Sequence, residues 1–184
     1  MRIFKFKNNG GFTLVETMVA IAISLILSTM LLSYNRSSEK QIVLFREQAV
    51  LVGFLNRAKS LAVEKFNQNT QACAFGVYFP GGGSKEFILF QDLEPKEKEP
   101  IFGCNKAGAN DLNYNEGEKL ESFTMDERLK FADTLPPGLT ILFIPPELDV
   151  SSNAELPVTI KIETLQGESS ALIKVGKFGQ ITAE

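Results

Sequence analysis

"GGFTLVETMVAIAISLILSTMLL", residues 10 to 32, decides how the rest of the chain is read. From Phe12 to Leu32 the single charged side chain is Glu16. As a helix at ~1.5 Å per residue this run reaches roughly 31 Å, which matches a hydrocarbon core of ~30 Å. In front of it, "MRIFKFKNN" carries Arg2, Lys5 and Lys7 and no acid. That bias predicts a cytoplasmic start and an exported remainder. An acidic charge inside such a run costs about 2.5–3.5 kcal/mol on insertion scales, so intramembrane acids pair or mark function.

The bulk composition narrows the field. The chain has 184 residues, 44% apolar and 22% charged, enough for about one folded domain beyond an anchor. Its net charge of −3 argues against a broad phosphate-binding face. Histidine is absent, which removes His bases, His-containing triads and His-ligated metals. Two cysteines, Cys73 and Cys104, are too few for a structural zinc site. No nucleophile motif stands out, so an enzyme is not expected.

A secretory signal is cut behind its apolar stretch, at small residues. Here "LLSYNRSSEK" offers no such pattern, and the small pair Gly10–Gly11 lies in front. Basic leader, glycine, "FTLVE" and a long apolar helix together resemble the N-terminus of type IV pilins and type II secretion pseudopilins. The resemblance implies a leader over residues 1–11, cut after Gly11 by a prepilin peptidase that also methylates the new terminus at Phe12. It further implies that Glu16, the fifth residue of the mature chain, forms an assembly charge pair with a Phe12 amino group, within one subunit or between neighbours. Expected partners are other pilin or pseudopilin subunits, the peptidase/methyltransferase and an inner-membrane assembly platform. The expected location is the bacterial cytoplasmic membrane, single-pass with the N-terminus inside, and then a filament.

The helical pattern does not stop at the membrane. In "IVLFREQAVLVGFLNRAKSLAVEKF" (42 to 66), Leu44, Leu51, Leu55, Ala58 and Ala62 recur at helical spacing, while Arg46, Arg57, Ser60 and Glu64 form a polar line. The spacing predicts one helix from Phe12 to Phe66, with an apolar half over 12–34, an amphipathic half over 35–66 and a weak point around "SYNRSS". A β-rich exported domain should follow over 67–184. From Ala72 the period becomes two: "ACAFGVYF", a "PGGGSK" turn and "EFILFQD" read as a hairpin. That glycine run lacks the G-K-[ST] order of a phosphate loop. Further strands are expected at "LKFAD", "LTILFIP", "LPVTIKIETL", "SALIKVG" and "GQITAE", with turns at "LPPG" and "IPPELD". Helix first and strands after make an α+β protein with an antiparallel sheet packed on a long N-terminal helix. The order of these segments is similar to the GspH/FimT-like branch of minor pilins and pseudopilins.

Three features of the exported part invite chemistry. Cys73 and Cys104 could form a disulfide whose loop of about 30 residues would contribute roughly 3–4 kcal/mol; a buried strand thiol and a loop thiol are the alternative. "NDLNYNEGEKLE" (110 to 121) sets Asp111, Asn113, Asn115, Glu118 and Glu121 in one loop, an oxygen-rich pattern of the kind calcium takes. Its Gly117 falls one place late for the twelve-residue calcium loop, so a solvated acidic loop competes with calcium. "EPKEKEP" (94 to 100) reads as a solvated connector. The last stretch holds only Lys174 and Lys177 as cations, which weakens a DNA-binding reading without removing it. Two functions from different classes follow: a structural minor pilin or pseudopilin, or a membrane-tethered extracytoplasmic module that binds a ligand or DNA without forming filaments.

Overall fold

The computed structural model describes residues 13–66, 72–93, 113–145 and 148–184, the side chains of 32–38 and 66 excepted. The leader over 1–11 and the connector "EPKEKEP" lie outside the described residues. The chain divides into two units, Met1–Glu39 and Lys40–Glu184, and helix α1 (Leu14–Phe66) contributes to both. The weak point expected around "SYNRSS" does not interrupt that helix.

In the first unit, the described side chains of α1 are exposed, Leu14, Ile21, Leu25 and Met30 among them. Leu14–Leu31 has a mean hydropathy of 2.1, and none of it is buried within the protein. A helix exposed and apolar over this length has the length and composition of a membrane span.

In the second unit, α1 turns one face inward. Leu44, Leu51, Leu55, Ala58 and Ala62 are each no more than 2% exposed, as their spacing predicts. Arg46, Arg57, Ser60 and Glu64 stay in solvent. The strands are β1 (Ala72–Phe79), β2 (Glu86–Leu93), β3 (Lys119–Thr124), β4 (Leu129–Phe131), β5 (Leu139–Ile144), β6 (Asp149–Ser152), β7 (Val158–Thr164), β8 (Ser170–Val175) and β9 (Ile181–Ala183). They form two sheets, ordered β3-β2-β1-β5-β6 and β4-β7-β8-β9, and every pairing is antiparallel. The architecture is α+β with two sheets where the sequence suggested one.

Backbone bonds tie the sheets together at two places. Phe131 N–H donates to Ser84 O and Gly83 N–H to Phe131 O, both at 2.9 Å; Val150 N–H donates to Lys177 O at 3.0 Å. Between the helix and the sheets lies one apolar core. Its aromatic centre is Phe79, Phe87 and Phe131, with Phe79 and Phe131 edge-to-face at 5.3 Å.

Two strands escaped the sequence reading, and both are outer strands of the first sheet. β3 lies in what read as the end of an acidic loop, and β6 follows what read as a turn. An outer strand needs one buried face at most, so "KLESFT" and "DVSS" carry little of the apolar alternation that marks a strand. β1 departs in the other direction. Ala74 and Gly76, the small residues between the apolar positions of its alternation, are buried too. Ala74, Phe90 and Leu142 make a second, smaller apolar cluster with Tyr78, Tyr114 and Ile144 on that face.

Candidate functional site

The start of α1 is built by two residues three apart. Thr13 donates its backbone N–H and its hydroxyl to Glu16 Oε2, each at 2.9 Å, and its Oγ1 accepts the Glu16 N–H at 3.2 Å. This is the reciprocal capping box, with threonine at the N-cap and glutamate at the third helical position. It satisfies helix N–H groups that have no intrahelical acceptor and sets a negative charge at the positive end of the helix dipole. The sequence carried the signal, since "TLVE" is a T-x-x-E pattern. The cap gives Glu16 a second role beside the pairing with Phe12 that the resemblance implies. Gly11 and Phe12 lie outside the described residues, so that pairing is not part of the geometry here.

The rest of the apolar stretch handles its polar atoms in the same self-contained way. Thr17, Ser24, Ser28 and Thr29 return their hydroxyls to carbonyls three or four residues earlier, at 2.7–2.8 Å. In hydrocarbon each polar group needs such a partner within the protein.

The remaining candidates lie in the second unit. Cys73 is 1% exposed and disulfide-bonded; the chain's other cysteine, Cys104, lies outside the described residues, as does Asp111. Asn113 and Asn115 open the turn before β3. Glu118 is 7% exposed and faces inward: its Oε2 accepts the Asn115 N–H at 2.8 Å and its Oε1 the Leu93 N–H at 3.2 Å. Both carboxylate oxygens thus tie this turn to the end of β2. Glu121 sits on β3 and pairs with Arg57 of α1. The two glutamates proposed as calcium ligands therefore have separate structural partners. Among the described residues no group of three or more acidic or cysteine side chains is placed to hold a metal. Of the two cations considered for DNA, Lys174 is bonded to both oxygens of the Glu184 carboxylate at 2.8 Å, while Lys177 is exposed.

Two buried polar side chains of α1 had no sequence signal. Gln48 donates to Leu172 O at 2.9 Å and Glu184 O at 3.1 Å, pinning the helix to β8 and the end of β9. Its neighbour Glu47 is 4% exposed, and its Oε2 has no hydrogen-bond partner among the described residues. Burial raises its carboxyl above the ordinary value; the Arg46 charge opposes this and the Asp126 charge adds to it. Asp126 itself is held down to about 2 by hydrogen bonds from the Arg128 side chain and backbone.

The comparisons bear on the N-terminus. The family model described as the prokaryotic N-terminal methylation motif matches residues 6–32. That segment spans Gly11, Phe12, the capping pair and the whole apolar run. No curated protein and no solved structure matches the chain.

Proposed function

From a chain whose residues 6–32 carry a prepilin-type methylation motif, we propose a structural subunit of a type IV pilus or type II secretion filament, in the manner of a minor pilin or pseudopilin. The leader is cut after Gly11 and the new Phe12 terminus is methylated. The subunit waits in the cytoplasmic membrane by the apolar half of α1, with its β-rich unit outside, and enters the filament through that helix. No catalytic chemistry is assigned to it.

The observation that carries the proposal is the conjunction of the matched motif with a single carboxylate at the head of an apolar helix. Glu16 is exposed and already bonded by Thr13. It can therefore reside in a membrane without a second subunit, and can meet a neighbour's Phe12 amino group when one arrives. A buried ion pair of this kind is better suited to setting register than to adding stability.

A second support lies further along α1. Ile42, Phe45, Ala49 and Gly53 recur at steps of three, four and four on the side opposite the core, and all are exposed. Ile42 and Phe45 keep 68% and 58% of their surface in solvent. A Cβ on Gly53 would meet nothing within 4 Å, so the subunit's own packing does not require glycine there. Glycine in a helix interior costs ~1 kcal/mol relative to alanine. A strip of large and small residues in alternation, flanked by Arg46 and Arg57, suits packing against another helix.

The test is the mass of the mature protein recovered from membranes. It should begin at Phe12 and carry one added methyl group. An intact Met1 would overturn the proposal and leave a plain tethered module that binds a ligand or DNA; a terminus beyond Leu32 would overturn it by showing a cleaved export signal.

A further inference from the structure

Two features at different ends of the second unit are matched in size. The first is Phe178. It sits at the tip of the β8–β9 turn with 67% of its surface in solvent. The turn is rigidly held: Gly176 N–H donates to Gln180 O at 2.8 Å, Lys177 O accepts the Val150 N–H at 3.0 Å, and Lys59 Nζ donates to Gly179 O at 3.0 Å. An aromatic ring presented on a fixed turn is a low-entropy anchor for a partner.

The second is a cleft where the start of this unit's helix meets β4 and the β7–β8 turn. Its apolar walls are Val43, the buried Leu129 and the half-exposed Leu165. Its volume is about 180 Å³; an apolar cavity of ~150 Å³ holds a benzene ring. The cations at its rim are already answered within the chain: Lys40 by Gln166 at 3.1 Å and Glu168 at 2.9 Å, Arg128 by Asp126 at 2.8 Å. Such a site has little left to attract an anion, and it accepts an uncharged ring. Lys177, next to Phe178, would arrive near Glu168, whose carboxylate already holds Lys40 at 2.9 Å and is exposed enough to accept a second cation.

Lys40 lines the cleft and Lys59 touches the Phe178 turn. Along α1 these positions are about 28 Å apart at ~1.5 Å per residue. One molecule therefore cannot fill its own cleft, and the ring that fills it comes from another copy. A knob on one end and a hole near the other can join copies head to tail, in a ring or an open filament according to the rotation between them.

We propose that Phe178 of one copy of this chain seats in the Val43–Leu129–Leu165 cleft of the next copy, a contact between β-rich units that adds to the helix-borne assembly. The proposal rests on the filament-subunit reading. The test uses the full-length chain in its membrane, with a photo-crosslinking phenylalanine analogue at position 178. Irradiation should yield chain-to-chain dimers whose joined peptide contains Leu129 or Leu165. Adding Leu165→Arg should reduce the yield about tenfold or more, the loss expected for one buried aromatic ring. Leu165 is 54% exposed, so this change leaves the core alone. No dimer, a crosslink mapped elsewhere, or a yield indifferent to Leu165→Arg overturns the contact. The N-terminal mass from the same sample separates the two readings: a methylated Phe12 without the crosslink keeps the filament subunit and removes only this contact.

Discussion

Glu16 and Thr13 hold each other: one carboxylate oxygen accepts both Thr13 donors, and the Thr13 hydroxyl oxygen accepts the Glu16 N–H. The carboxylate thus has a task in the lone subunit as well as the one proposed for it in the filament. Glutamine separates the two, because its amide oxygen can still accept the cap while its charge is gone. Glu16→Gln should insert in the membrane and be processed, yet fail to enter filaments. Comparing membrane and sheared-filament fractions measures this. Normal incorporation would show that the cap alone is what Glu16 supplies.

Glu47 and Asp126 give the second unit opposing pH dependences. Glu47 is raised above its ordinary 4.5 by burial, so the folded state holds its proton more tightly than the unfolded chain does. Its favourable contribution is complete below 4.5 and is lost as pH rises through the folded value. Asp126 is lowered from 3.8 to about 2, so its contribution is present above 3.8 and is lost as pH falls through about 2. Glu47→Gln should raise stability at neutral pH by on the order of 1 kcal/mol, with the gain shrinking as pH falls towards 4.5. Thermal melts of the detergent-solubilised chain across that range check the slope. A gain that persists at low pH would assign the effect to packing.

Glu118 offers a direct check on the cation reading of residues 110–121. Its two oxygens accept backbone N–H groups of Asn115 and Leu93. Glu118→Ala should therefore lower the melting temperature by the equivalent of about 1–3 kcal/mol, equally in calcium and in chelator. A loss confined to calcium-containing buffer, matched by Asp111→Ala, would restore the metal site.

Gly76 lies opposite Leu142 where β1 pairs with β5. A Cβ there would lie 2.5 Å from the Ile141 carbonyl oxygen and 3.1 Å from Leu142 and Phe90. Gly76→Ala must push the central strands apart and should cost about 2–3 kcal/mol, read by chemical denaturation. Gly53→Ala, in open space on α1, should leave the isolated subunit's stability unchanged or slightly higher.

What could be read without a structure follows from where one residue's environment depends on near neighbours. The apolar run, the Leu44–Leu51–Leu55 stripe and the β1–β2 hairpin announce themselves because helical and strand periods are local. β3 and β6 did not, since an outer strand borrows its order from the strand beside it. Glu118 read as a ligand because its inward turn depends on the end of β2, 25 residues away. Glu47 read as one more charge on a helix, with nothing in its neighbours to say that it would be buried.

The sequence by itself determined a capped apolar helix bearing a methylation motif, a helical stripe made for a core, and an α+β order of elements. All of these rest on spacing and residue type within a few turns of chain. Only the tertiary structure decided that the strands divide into two sheets, that β1 is covered on both faces, and that Glu118 and Glu121 serve the fold. It alone placed an exposed Phe178 and a ring-sized cleft near different ends of one unit. Those outcomes depend on which distant segments meet, and local period and composition carry no record of that.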